Sequence, residues 1–166
     1  MNTAIISCGA VKIWDLQPNI GPQKAQDVYI GSYTKQLKKY VNCYYDDWFI
    51  LSAKYGIIHK DFIIAEKYDV TFNDKRSNPV NIEQLNESIT KSDICSYNQI
   101  EVLAGSNYTA MLKRSIIDNS KMVFPLKGIG GMGYHMQWMA NRIKEKIATD
   151  SEFNLTDFVE QNEGSA

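Results

Sequence analysis

Four consecutive large apolar residues, Trp48-Phe49-Ile50-Leu51, constrain this chain more than any other stretch. An unbroken apolar run of that length, without polar alternation, describes a strand buried on both faces. Such strands belong to parallel sheets covered by helices on either side. The run then empties into Ser52, Ala53, Lys54, Tyr55 and Gly56, where hydroxyls, an ammonium and a flexible backbone occur together. Open α/β sheets build their ligand sites where buried strands end in this way.

The rest of the chain repeats the pattern. Thr3 to Cys8 reads as a first strand closed by Gly9, Gln99 to Ala104 as another, and Lys121 to Leu126 as a last one. Between them Tyr33, Leu37, Tyr40, Val41 and Tyr44 follow helical spacing behind an N-cap at Ser32. Ile82, Leu85 and Ile89 mark a second helix, preceded by Asn78-Pro79. Tyr108, Met111, Leu112 and Ile116 mark a third, and Met132 or Met136 with Met139, Ile143 and Ile147 a fourth. The segments 12–31 and 53–79, with their prolines and glycines, read as loops holding at most a short helical turn. Alternating strands and helices give the fold class α/β, a sandwich around a mostly parallel sheet. The strand ends Ser7-Cys8-Gly9, Ser52-Ala53-Lys54, Gly105-Ser106-Asn107 and Lys127-Gly128 should therefore line one crevice.

Composition excludes several classes. With 166 residues the chain fits one domain, expected over 1–147, followed by an acidic tail over 148–166 that holds one more helical turn around Phe153, Leu155 and Phe158. No apolar run approaches the roughly 20 residues of a membrane helix, so no membrane partner is expected. Three scattered cysteines support neither a disulfide framework nor a zinc site, and the expected compartment is the cytoplasm. His59 and His135, the two imidazoles, stand in no metal-binding pattern, so no metal or cofactor is expected. The net charge of −1 hides an asymmetry. The tail holds five acids and no base, which leaves 14 acids against 18 bases in residues 1–147. A basic body suits a polyanion, although charge alone also fits a solvated surface.

Glycines 128, 130, 131 and 133 formally give GxGxxG, but after the last strand instead of the first, so a dinucleotide site is not expected. A backbone loop approaching a phosphate stays open. Asp61, Glu66 and Asp69 fall within nine residues, close to Lys54 and Lys67. A carboxylate that orients water or stabilises an oxocarbenium ion is what cleavage of a glycosidic bond requires. A loop ion pair is the plainer reading of the same residues. Tyr55, Tyr68, Tyr108, Tyr134 and Trp138 fall near the loop edge, where rings stack bases or simply pack.

The segment Ser52 to Ile58 with Asp61, Ile64 and Tyr68 resembles the SxxYGLLxPxDxIxPY stretch of the YaaA-type peroxide-stress proteins. A set of small bacterial and phage domains is more similar still. Their strand ending in Cys-Gly matches Cys8-Gly9, their SAKYGLL block with Tyr-Asp matches Ser52–Ile58 and Tyr68-Asp69, and their LAGxxY block matches Leu103 to Tyr108. Their late Pro-Leu-x-Gly-x-Gly loop matches Pro125 to Trp138. The likeness covers residues 3 to 143. It departs at Ala65-Glu66-Lys67, where the pattern has a proline, and at Ala10-Val11, which replace basic residues.

These domains are similar to the uracil-DNA glycosylase superfamily, which implies a three-layer α/β/α sandwich with a short, mostly parallel sheet. The resemblance further implies a monofunctional DNA glycosylase that removes a modified pyrimidine and leaves an abasic site. Glucosylated hydroxymethylcytosine of phage DNA, in anti-phage defence, is one such substrate. The GQDPYH and HPSPLS signatures of uracil excision are absent. In this reading Asp69 is catalytic, with Glu66 as its substitute. Cys8, Gly9, Ser52, Lys54, Tyr55, Tyr68, Ser106, Asn107 and Tyr108 hold the substrate, while Lys12, Gly128, Gly130, Gly131, Met132 and His135 hold DNA. A monomer is assumed. The alternatives are a non-catalytic DNA-binding module of the YaaA type, or an enzyme acting on free or 7-deazaguanine-type nucleosides.

Overall fold

In the computed structural model, which describes residues 1–163, the chain opens with β1 (Asn2–Ser7). A 3-10 turn at Ile13–Asp15 leads to β2 (Gln23–Lys24), α1 (Ala25–Val28) and α2 (Ser32–Tyr44). Next come β3 (Phe49–Ser52), β4 (Gly56–His59), β5 (Ile63–Ile64) and α3 (Ile82–Ser92). The chain finishes with β6 (Gln99–Leu103), α4 (Ser106–Arg114), β7 (Met122–Val123) and α5 (Met132–Glu163).

Five strands form the main sheet in the order β4-β3-β1-β6-β7. Four run parallel, and β4 lies antiparallel on the β3 edge. Register follows burial: Ile6 faces Ile50 on one side and Leu103 on the other. Successive residues of β1 go to opposite layers, because side chains alternate across a strand. Ala4 and Ile6 meet Leu37, Tyr40 and Val41 of α2 and Met139 of α5. Ile5 meets Leu85 and Ile89 of α3 and Leu112 of α4. Ile5, Ile6, Ile50 and Leu51 are wholly buried, and each such side chain contributes about 1.5–3 kcal/mol. The sheet is covered by helices on both faces, as the apolar run at 48–51 requires.

Several sequence expectations need revision. Gly31, not Ser32, is the N-cap of α2, and the 12–31 segment holds β2, which pairs antiparallel with β5. The segment 53–79 is not all loop, since β4 returns along β3 through a tight turn at Ala53, Lys54 and Tyr55. Adjacent Ile57 and Ile58, one to each layer, behind a glycine-bearing turn were the available signal. The last strand stops after two residues, consistent with Pro125 having no N–H to donate to a ladder. Ile116 lies beyond the end of α4 and is exposed, and Ile117 enters the core instead. Finally, α5 runs unbroken through 147/148, so the acidic tail continues this helix. Residues 164–166 of that tail, and the Phe158 side chain, lie outside the described residues. No described helix is long and apolar enough to cross a membrane.

Candidate functional site

Leaving β1, the chain crosses to β3 on one side and later returns to β6 on the other. That reversal opens a crevice beyond the carboxyl ends of β1 and β6, the usual ligand position in open α/β sheets. A cavity of about 510 Å³ occupies it. Its walls come from Cys8 to Lys12 after β1, from the 69–77 segment and from the start of α4.

Tyr108 forms the floor. Its hydroxyl lies 3.5 Å from both Cys8 Sγ and Thr71 Oγ1. Burial, with Cys8 alongside, pushes its phenol up to about 12. Tyr108 is therefore a neutral ring at physiological pH, steadied edge-on by Phe72 at 4.9 Å. At the mouth stands Asp69, exposed and held by no side-chain hydrogen bond or ion pair among the described residues. Across the cavity Asn107 Nδ2 donates to Asn73 Oδ1 at 2.7 Å. Whichever amide donates, the pair keeps one carbonyl and one NH2 free, an adjacent acceptor and donor. The edges of nucleobases carry the complementary pattern.

Lys12 is the unusual member. It is 3% exposed, yet it lines the cavity. Its ammonium donates to Ala10 O at 3.2 Å and sits 4.6 Å from the Tyr68 ring centroid. Burial lowers its pKa, against the opposing pull of Cys8 and Asp69. This is not the exposed cation that backbone phosphate binding calls for.

Beneath it lies a chain of buried hydroxyls. Tyr68 meets Tyr29 on one side and Ser52 Oγ, at 2.8 Å, on the other. Burial raises both phenols, so neither ionises. Ser52 also accepts the amides of Lys54 and Tyr55, each at 3.2 Å. Ser52, expected to bind substrate, is wholly buried and instead pins the β3–β4 turn. Tyr68 supports Lys12 from outside the cavity lining.

Other expected residues separate. Lys54 and Tyr55 line a different hollow of about 480 Å³ between β4 and α3. Glu66 lies in a third, beside Trp14 and Lys67, and shares no wall with Asp69. Asp61 and Lys67 take the plainer role, paired with Lys24 and Asp15 respectively. Gly105 and Ser106 are also walls of a neighbouring cavity of about 310 Å³, with Lys113, Lys127, Gly130 and His135. The glycine loop thus shares the edge, but Gly128, Gly131 and Met132 line neither cavity. His135 is committed elsewhere: Nε2 donates to Ile129 O at 3.2 Å, so Nδ1 accepts from Tyr33 Oη at 2.9 Å. It clamps the loop onto α5 and α2.

Thr71, Asn73, Asp74 and Ser77 were not foreseen. Ser77 Oγ closes their loop, accepting from Thr71 N at 3.0 Å and donating to Asp74 O at 2.6 Å. Only their turn-prone composition hinted at this. Among the described residues no three His, Cys, Asp or Glu converge as a metal would need.

The chain belongs to the family of unknown function DUF6884, which it matches over residues 3–141. It is also similar to the uncharacterized protein YfjM of Bacillus subtilis strain 168. The two are 31% identical over 142 residues, 86% of this chain and 95% of that protein. No solved structure matches. The family match takes in every residue of the cavity and stops within the first half of α5.

Proposed function

We propose that this protein hydrolyses the N-glycosidic bond of a modified pyrimidine in DNA, within a fold of the uracil-DNA glycosylase type. One observation carries the reading: an unengaged carboxylate, Asp69, at the mouth of a nucleoside-sized cavity at the sheet's switch point. A nucleotide extruded from its stack enters that cavity. Its base lies against Tyr108, with its polar edge on Asn73 and Asn107. Asp69 then faces the sugar, where it orients the attacking water and balances positive charge developing at C1′. Lys113 and Lys127 beside the neighbouring cavity meet the flanking phosphates. Support for DNA as partner comes from this basic rim, and support for a decorated base from the room left around a pyrimidine.

The test incubates the protein with duplexes carrying glucosylated hydroxymethylcytosine, uracil or no modification, then cleaves abasic sites with alkali. Strand breaks on the modified duplex, lost in Asp69→Asn, are expected. Absence of breaks on every duplex, with binding that survives Asp69→Ala, would leave a non-catalytic DNA-binding module in its place.

A further inference from the structure

The glycosidase reading leaves Lys12 without a task. Burying an ammonium costs several kcal/mol unless it is well paired. Lys12 has one carbonyl and one aromatic face as partners, and no carboxylate within ion-pair range among the described residues. A methionine or leucine would fill the same volume at lower cost. The residue is also held firmly in place. Its amide donates to Asp15 Oδ2 at 2.8 Å, and its backbone bridges to Tyr29. It shares the cavity with Asp69. A lysine kept from full hydration and tilted towards its neutral form is a nitrogen nucleophile, the form that condenses with carbonyls.

We propose that Lys12 forms a Schiff base with the sugar aldehyde left after base release, making this site a DNA lyase as well as a glycosidase. The inference rests on the reading of the cavity given above. Once the base has gone, the abasic sugar opens to an aldehyde at C1′. The neutral Lys12 Nζ adds to C1′, and loss of water from the carbinolamine gives a protonated imine. Asp69 takes a proton from C2′. The electrons of that C–H bond form the C2′–C3′ double bond, and the C3′–O bond breaks with the 3′-phosphate as leaving group. Water then hydrolyses the imine, releasing an unsaturated aldehyde end and restoring the amine. Water is the only co-reactant, and no electrons enter or leave.

The experiment uses abasic duplex made beforehand from uracil-containing DNA with an unrelated uracil glycosylase, so that base preference does not enter. The full chain is mixed with this duplex and sodium borohydride, which reduces an imine to a stable amine. A covalent adduct mapping by peptide mass spectrometry to Lys12 is expected. It should be lost in Lys12→Arg and in Lys12→Met, each checked for folding by circular dichroism. Asp69→Asn should keep the adduct but slow strand cleavage in the absence of borohydride. No adduct from folded protein overturns the proposal, as does one spread over surface lysines or the Met1 amine, or one undiminished in Lys12→Arg. Base release from modified DNA without a Lys12 adduct refutes the lyase and keeps the glycosidase. A Lys12 adduct with no base release from any duplex keeps the lyase and refutes the glycosidase.

Discussion

Replacing Tyr68 by Phe should destabilise the protein well beyond the loss of one hydrogen bond. Tyr68, Tyr29 and Ser52 are 6%, 0% and 0% exposed, so water does not replace a missing partner. Ser52 Oγ already accepts two backbone amides, so its own proton must go to the Tyr68 hydroxyl. Tyr29 has Tyr68 as its hydrogen-bond partner. The substitution therefore removes the bond that each of these two buried hydroxyls makes to Tyr68 while leaving ring volume unchanged, which removes any cavity contribution. At about 1–3 kcal/mol for each unsatisfied group, the expected cost is about 3 kcal/mol. For a chain of this size that lowers Tm by about 6–12 °C. Tyr29→Phe removes only the end of the chain of hydroxyls and leaves Tyr68 bonded to Ser52, so about 1 kcal/mol is expected. Urea denaturation of both variants and of the double variant measures the coupling directly. A Tyr68→Phe cost below about 0.5 kcal/mol, or one smaller than that of Tyr29→Phe, would refute the assignment of these hydroxyls as an interdependent set.

Further outcomes follow from the same geometry. Asp69→Asn should reduce base release by at least roughly a hundredfold, with Tm unchanged, whereas Glu66→Gln should leave the rate as it was. Gel-based kinetics on a modified duplex reads both. Gly56→Ala should cost about 3 kcal/mol in urea denaturation, because φ is +77° and the new Cβ would lie 2.8 Å from Ser88 Cβ. That crowding also threatens the 2.8 Å bond from Ile57 N to Ser88 Oγ, which satisfies the outer edge of β4. Lys12→Met should be at least as stable as the wild type at neutral pH. The folded state holds Lys12 below its ordinary 10.5, so between that lowered value and 10.5 the unfolded chain binds more protons. Stability from this group therefore rises with pH through that window. The wild type should gain on Lys12→Met as pH is raised towards 10.5 in paired urea titrations.

The helices were legible because each shows an apolar stripe at helical spacing, as Leu85 and Ile89 do over the core. The parallel strands were legible because burial on both faces requires continuous apolar sequence, as at Phe49, Ile50 and Leu51. β4 was not, since its four residues alternate between layers behind a turn that reads as loop. At the site, Cys8, Asn107 and Tyr108 converge as their places at strand and helix ends suggested, and Asp69 joins them from the loop after β5. Ser52, Tyr55 and Glu66 did not, although they lie in the same stretch as Asp69.

Local pattern by itself determined the parallel strands and the longer helices, but not β2, β4 and β5, and that the sheet is covered on both faces. It also determined which residues stand at the strand ends. Tertiary structure alone decided which of those residues share a cavity. Facing depends on strand order and on where the 69–77 loop folds back, and neither is written in local periodicity. The burial of Lys12 is the clearest case. In sequence it is one of 18 basic residues, and only packing against Tyr68 and Ala10 keeps its ammonium from full hydration.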